Sequence, residues 1–460
     1  MDCLVIGAGT SGAAAAWLLA LRGVRVGLVD ARERRNVGAS WMNGVEDHLF
    51  DELDLPEPPV GVRVHRASRF IVQAGEFGPR TTVDDVPTCE VDMRALNAWL
   101  LDLAEQAGVE MRFRARAEVL GVEGGKRQVR IGRTIESVPV VIDSSGLTGS
   151  NLYETLDDAV DICSAYQGVY ELTDVAAARR WLDAHDVRPG ETLSMAGIEG
   201  GFSIRNVSVD EAMTEVHILT GAMHRPEFRT GGRIAMEFVR SQGWIGKRLF
   251  GGGGLIPLAP GEPSHVDDHL VRIGNAAGHV FTQHGSGVAP GLRAAAIAAN
   301  TVACALQLGA TRADGLWSFD HLWWTGPGAV GAEYQPLRYL SSSLSIGDLS
   351  LMIEAGVIAP ASVRAALAQA PMEKDLRIAA RVARHAVRLR HLLPRLATTI
   401  LLADQLAAHA RRYPDRGPWG SYAAWRDGWQ RKLDRARALS RPESALFAAG
   451  LDPRRPAFLS

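Results

Sequence analysis

Three glycines in the run GAGTSG, Gly7, Gly9 and Gly12, stand between an apolar stretch at residues 2–6 and an Ala- and Leu-rich stretch at residues 10–22. In a strand-turn-helix unit each has its own use: a tight turn, a close approach of backbone to a phosphate pair, and close packing of helix on strand. A helix opening at Thr10 and Ser11 would aim free backbone N–H groups and the positive end of its dipole at a pyrophosphate. Asp30 lies 18 residues beyond Gly12 and closes the next apolar run, residues 25–30. There, beside Ala31, its carboxylate would accept from a ribose 2′-hydroxyl. A glycine triplet alone marks many plain turns. Strand, turn, helix, strand and acid in this order mark a dinucleotide unit, and leave open whether the dinucleotide is FAD or NAD.

A second run separates those two. Residues 270–292 read LVRIGNAAGHVFTQHGSGVAPGL and lead into an Ala-rich helical stretch ending near residue 308. This resembles the second flavin motif of the geranylgeranyl reductase and para-hydroxybenzoate hydroxylase superfamily, a strand, then GDAAG, then a Gly-rich turn that opens a helix. The resemblance covers roughly the first 310 residues. It implies FAD, with Gly274 and Gly278 shaping the turn and Asn275 in the place of the aspartate that meets the ribityl chain. An amide oxygen accepts as a carboxylate does but without charge, so the contact weakens. Gly287 and Val288 would present backbone N–H groups to the flavin N1 and O2 edge, where a helix N-terminus stabilises the charge of the reduced ring. By the same resemblance VVIDSSG, residues 140–146, forms a turn beside the nucleotide with Asp143 and Gly146. Ser40, Arg94 and Val119 complete the expected cofactor contacts, although Met93 stands where the family carries its arginine and Arg94 comes one residue later.

For the chemistry itself three residues stand out. Residues 36–44, NVGASWMNG, occupy the place where these flavoenzymes bring a loop across the isoalloxazine ring. Trp41 there would wall a substrate cavity and Asn43 would orient a substrate group. His284 falls between the GNAAG turn and the flavin-edge glycines, and an imidazole titrates close to neutral pH, so it is the candidate general acid. A loop-bridging histidine is its bland alternative. The family resemblance implies NAD(P)H-linked oxidoreduction of a largely apolar small molecule, by monooxygenation or by reduction of a carbon-carbon double bond. A redox-neutral cyclase of the lycopene cyclase kind and a flavin-dependent halogenase are alternatives, and a non-catalytic flavoprotein subunit comes last. The chain lacks the YxWxFP signature of geranylgeranyl reductases and the WxWxIP motif of tryptophan halogenases, and no second dinucleotide fingerprint opens a helix. NAD(P)H is therefore expected as a transient visitor.

The elements that must position these residues are those of an α/β fold: a Rossmann-type FAD-binding domain with an inserted antiparallel substrate sheet and a helical C-terminal region. The expected boundaries are 1–60, 88–150 and 265–310 for the discontinuous FAD domain, 61–87 and 151–264 for the substrate domain, and 311–460 for the helices. Helical periodicity at residues 94–107 places Leu96, Leu100, Leu103 and Ala107 on one stripe, with Gly108 ending it. The 460 residues are 47% hydrophobic and 22% charged with a net charge of −2, which gives no electrostatic footprint for nucleic acid. Charge is uneven, however. Residues 371–460 carry 18 Lys and Arg against 8 Asp and Glu, and Arg377, Arg381, Arg384 and Arg388 fall on one helical stripe. Apart from the small-molecule substrate, an acidic carrier protein or an anionic membrane surface would suit that stripe. Cys3, Cys89, Cys163 and Cys304 are too scattered for a zinc site or disulfide framework, and residues 13–21 lack a signal peptide's basic leader, so a cytoplasmic protein, at most peripheral to a membrane, is expected.

Overall fold

The computed structural model describes residues 1–460 except 148, 150–155, 157, 374–375, 418–419 and 442–460, and of 158–159, 376–377 and 379 the backbone alone. The first strand, Cys3–Ile6, is buried at every position. It has to be, because it lies inside a six-stranded sheet in the order Val266–Asp267, Leu270–Arg272, Val140–Asp143, Cys3–Ile6, Val26–Val29, Glu110–Arg112. All pairs are parallel except the first. Parallel strands covered on both faces read as continuous apolar runs, and these do. Cys3 and Val5 face the helices Thr10–Leu21, Met93–Gln106 and Val288–Leu308. Leu4 and Ile6 face a small antiparallel sheet made of Ala117–Glu123, Lys126–Ile131 and Thr134–Val138.

The second large sheet has seven strands in the order Ile245–Pro257, Ile162–Leu172, Glu215–Met223, Ser203–Val209, Thr192–Ala196, Phe70–Ala74, Arg80–Val83. It departs from the expected purely antiparallel sheet at one pair, since Thr192–Ala196 and Phe70–Ala74 run parallel. Two further details differ from the sequence reading. Residues 63–65, expected in the substrate domain, pair instead with Thr88–Asp92, which also holds Met42–Glu46. Residues 42–44, expected within a loop, thus belong to a strand. The glycine run 251–254 lies in the middle of an edge strand whose backbone pairs with Ile162–Leu172.

Beyond residue 311 the described chain is helical. It is fixed to the substrate sheet by a buried hub: the Asp161 carboxylate, wholly buried, meets Arg338 at 3.5 Å, the Tyr339 hydroxyl at 3.1 Å and Arg437 at 2.7 Å. The arginine stripe is not one exposed surface. The helix Leu376–Arg384 ends before His385, and Arg388 pairs with Glu354 at 2.5 Å in a separate short helix, Ala386–Leu389. Arg381 is half-buried over Gly356, and the Arg377 side chain lies outside the described residues. The Val288–Leu308 helix is, among the described residues, the one long and apolar enough to cross a membrane, yet 72% of its apolar window is buried inside the fold.

Candidate functional site

The amino-terminal turn is shaped by what its glycines leave room for. Gly7 has φ +94°, and a Cβ on it would stand 2.3 Å from the Ser144 carbonyl oxygen. A Cβ on Gly12 would stand 1.9 Å from the carbonyl oxygen of Gly7, so helix and turn touch there without a side chain between them. At Gly9 the opposite holds, because its Cβ would meet nothing nearer than the Gly38 Cα at 3.8 Å. Gly9 is the N-cap of the Thr10–Leu21 helix and no side chain caps it. The result is an uncapped helix N-terminus over open space, the cradle a pyrophosphate needs.

Asp30 does two things. Its Oδ2 accepts from the Ala8 N–H at 2.8 Å and its Oδ1 from the Arg32 N–H at 2.7 Å, which braces the glycine turn. The half-exposed carboxylate retains lone pairs for a ribose hydroxyl, beside the exposed Ala31. Ser11, expected to touch the cofactor, turns its hydroxyl away: the Oγ would be 2.9 Å from a Cβ on Gly274 and 2.2 Å from one on Gly291. It packs the first helix against the Val288–Leu308 helix, leaving its backbone N–H for the ligand.

That packing brings the second turn alongside the first. Gly274–Ala277 is a single 3₁₀ turn, followed by Gly278 at φ +69°. The Asn275 Oδ1 lies 2.9 Å from where a Cβ on Gly287 would stand, and Gly287 is the N-cap of the long helix, again without a side-chain cap. Around the two turns, Asn97 Oδ1, Ser145 Oγ and Ser286 Oγ are buried with no protein partner. Two open helix N-termini and three orphaned polar atoms fit a long polar cofactor with a pyrophosphate, as FAD is. Asn97 escaped the sequence reading, hidden beside the apolar stripe of Met93–Gln106; its amide donates to the Ala8 carbonyl at 3.1 Å. Asn275→Asp should hold FAD as tightly or up to ~1 kcal/mol more tightly, the gain of a charge-assisted bond over a neutral one. Flavin titration of the apoprotein checks this, and a large loss would mean that the amide donates.

The remaining expected contacts sort differently. Trp41 stands over the glycine strand, its ring 3.7 Å from a Cβ on Gly252 and 4.0 Å from one on Gly254, and the Ser40 Oγ is 2.9 Å from the Gly252 position. Asn43 is half-buried opposite Val91. Arg94 is committed elsewhere: it pairs with Asp92 at 2.6 Å and its guanidinium stacks on the Phe250 ring at 3.5 Å. Val119 packs in the apolar layer with Leu4, Ile6 and Val29, where the small sheet covers the parallel one. His284 donates through Nε2 to the Ala366 carbonyl at 3.2 Å, in the last turn of the helix Pro360–Leu367, and burial pushes its pKa down to about 4. At neutral pH it is uncharged with its proton held by a helix-end carbonyl, the geometry of a bridge between the flavin-side loop and the helical region.

The face of the seven-stranded sheet that Trp41 covers follows from register, since directly paired residues share a face. Gly252 pairs with Gln167, Gln167 with Leu219 and Leu219 with Asn206. The next row is Gly254, Ala165, Gly221 and Ile204. The floor beneath Trp41 is therefore glycine and alanine, bounded farther along the rows by Leu219 and Ile204, with two amides in one row whose oxygens, Gln167 Oε1 and Asn206 Oδ1, are buried and unpartnered. His217 shares the face and meets Glu90 at 3.2 Å across the sheets. Burial opposes its charging, but the hydrogen bond and charge of Glu90 outweigh burial and hold its pKa above the ordinary value. Glu90 is correspondingly held below its own, against the cost of burial.

The sequence profile of the FAD dependent oxidoreductase family matches residues 2–46. A digeranylgeranylglycerophospholipid reductase of Sulfolobus acidocaldarius is 22% identical over 378 residues, which cover 78% of this chain and 81% of that protein. Among solved structures, a geranylgeranyl bacteriochlorophyll reductase-like protein of Thermoplasma acidophilum superposes with a TM-score of 0.66 at 15% identity, covering 85% of this chain and 99% of the other. The halogenase PltM, solved with phloroglucinol and FAD, superposes with a TM-score of 0.60 at 13% identity, covering 96% of this chain and 97% of the other.

Proposed function

Taking as its premise that the chain is an FAD-dependent oxidoreductase related to the geranylgeranyl reductases, we propose that it accepts electrons from NADPH or NADH and reduces a carbon-carbon double bond in a largely apolar small molecule. The observation that carries this is the substrate-sheet face: Gly252, Gly254, Ala165 and Gly221 form a floor without bulky side chains beneath Trp41. Such a floor admits a flat or extended hydrocarbon. The reductase relative, similar across most of the chain, supports the same choice.

Bound FAD would supply the hydride chemistry. The residues of the chain do the rest. Backbone N–H groups at Gly9, Thr10 and Ser11 hold the pyrophosphate, Asp30 the ribose, and Asn275 with the N-terminus at Gly287 the ribityl side of the ring. Trp41 and the glycine strand exclude water from the apolar face. Gln167 and Asn206 orient any polar group the substrate carries, and His217, whose pKa Glu90 raises, can hold and release a proton on the same face.

The test starts with anaerobic NADPH or NADH, which should bleach the yellow enzyme. Adding a polyprenyl alkene without oxygen should then restore the colour and yield a product two hydrogens heavier. The fold shared with the halogenase along nearly the whole chain supplies the second reading, an oxygen-dependent reaction. Colour that returns on admitting oxygen but never with the alkene rejects the reductase in favour of oxygen chemistry. An alkene isomerised or cyclised without return of colour points to the redox-neutral cyclase.

A further inference from the structure

A cavity of about 290 Å³ lies behind the second flavin turn, between that turn and the helices Ser318–Thr325 and Pro327–Ser341. It shares Gly278 with that turn, but none of Gly9, Trp41 and Gly287 lines it. Its walls include the rings of Phe281, Trp323 and Trp324, and its polar groups include His265, His279 and Thr282.

The polar groups carry the inference. His279 is 1% exposed, and its Nδ1 accepts from the Gly274 N–H at 3.2 Å, which places the ring proton on Nε2. That Nε2 is buried without a protein partner, and the Thr282 hydroxyl is in the same condition. A buried polar group of this kind destabilises the fold until a partner reaches it. The His265 ring, centred 4.7 Å from that of His279, donates through Nδ1 to Asp320 at 2.8 Å, which leaves an acceptor lone pair on its Nε2. The cavity therefore combines a donor, an acceptor and a hydroxyl with aromatic walls. At its rim Arg293 is held between two carboxylates, Glu46 at 3.0 Å and Glu52 at 2.7 Å, so the rim offers no free positive charge to an anionic ligand.

We propose that this cavity is a second small-molecule site, which takes an uncharged aromatic ring bearing a hydroxyl. The ring lies against the tryptophans and its hydroxyl accepts from His279 while donating to His265 or Thr282. A cavity of this size holds one or two fused rings.

The probe is 1-naphthol, titrated calorimetrically into FAD-loaded enzyme, with 1-methylnaphthalene as a partner of the same shape and no hydroxyl. Gly331 lines the cavity from the interior of Pro327–Ser341, and a Cβ there meets nothing within 4 Å. Gly331→Leu therefore fills the void while favouring the helix. The expected result is that Gly331→Leu removes one naphthol per chain with the flavin spectrum unchanged, and that Thr282→Val weakens that binding by about fivefold, the share of one neutral hydrogen bond. Naphthol that rests over the flavin survives in Gly331→Leu and is counted apart. Equal stoichiometry and affinity in wild type and Gly331→Leu overturns the site, as does methylnaphthalene binding as tightly as naphthol; the cavity then holds water alone.

Discussion

Gly9→Val is expected to give a folded, colourless protein, and Gly12→Ala a destabilised one, although both touch the same turn. The wild type should be yellow and release FAD, not FMN, on denaturation, because the turn is built for a pyrophosphate and Asp30 for a ribose. At Gly9 an added side chain meets no protein atom nearer than 3.8 Å, so it occupies the space of the cofactor and costs the fold little. At Gly12 the added methyl would lie 1.9 Å from the Gly7 carbonyl oxygen, and the helix must leave the strand to admit it. Overpacking against rigid backbone costs about 1–3 kcal/mol or more, with FAD lost as a consequence. Flavin absorbance together with urea unfolding separates the two outcomes. Retention of FAD by Gly9→Val would overturn the placement of the pyrophosphate.

The second large effect is acid lability. His284 has a folded pKa of about 4 against an ordinary value of 6.5, so the unfolded chain takes up its proton first as pH falls. The neutral bridge is fully stabilising above the unfolded value, and its contribution is lost progressively between pH 6.5 and about 4, by up to about 3 kcal/mol. His279, lowered by burial and by His265, acts in the same direction. His217 acts oppositely: its raised pKa gives stability that is present below its unfolded value and lost as pH rises through the folded one. Burial lowers His409 as well, so with three histidines against one, urea midpoints should fall between pH 7.5 and pH 5. His284→Gln can still donate to the Ala366 carbonyl but cannot titrate, so its midpoint should fall less over that range. An unchanged pH dependence in this variant would remove His284 from the effect. Turnover by His284→Gln, measured at pH 7.5, should stay near wild type if the residue is a bridge, and fall about 10²-fold if it is an acid.

The parts of this fold that were legible in the sequence are those held by local rules. Gly7, Gly9, Gly12 and Asp30 announce strand, turn, helix and strand because each meets a steric demand within its own neighbourhood. The helix after Gly287 announces itself by composition. What was not legible depends on pairing between distant segments. Residues 42–46 contain Asn43 and Gly44, poor strand formers, and become a strand because Thr88–Asp92 is there to pair with. Gly251 to Gly254 carry no strand signal of their own, and it takes the neighbouring strand to show their pairing. Asn97 and the His217 to Glu90 pair carry no local signal, and the latter two residues are 127 apart in the chain. Helical periodicity placed the four arginines on one stripe, but it could not foresee the break at His385 or the claim of Glu354 on Arg388.

The hydroxyl of Ser11, lodged between Gly274 and Gly291, also sets the order in which the molecule can be made. The strand Cys3–Ile6 is translated before the partners that follow it, yet it lies in the middle of its sheet and pairs with Val140–Asp143, which in turn pairs with Leu270–Arg272. The wall that completes the cofactor cradle is therefore translated on the order of tens of seconds after the turn it faces. Until Val140–Asp143 has emerged, the apolar strand Cys3–Ile6 has one of its edges unpaired, which is a hazard for aggregation. Contacts this remote in sequence also form slowly once the chain is complete. FAD can thus be captured only late, when both helix N-termini face each other, and from then on it bridges two turns that lie far apart in the chain. Overproduction should therefore be limited by late chain closure, and flavin added during refolding should raise the yield of native protein more than flavin added afterwards.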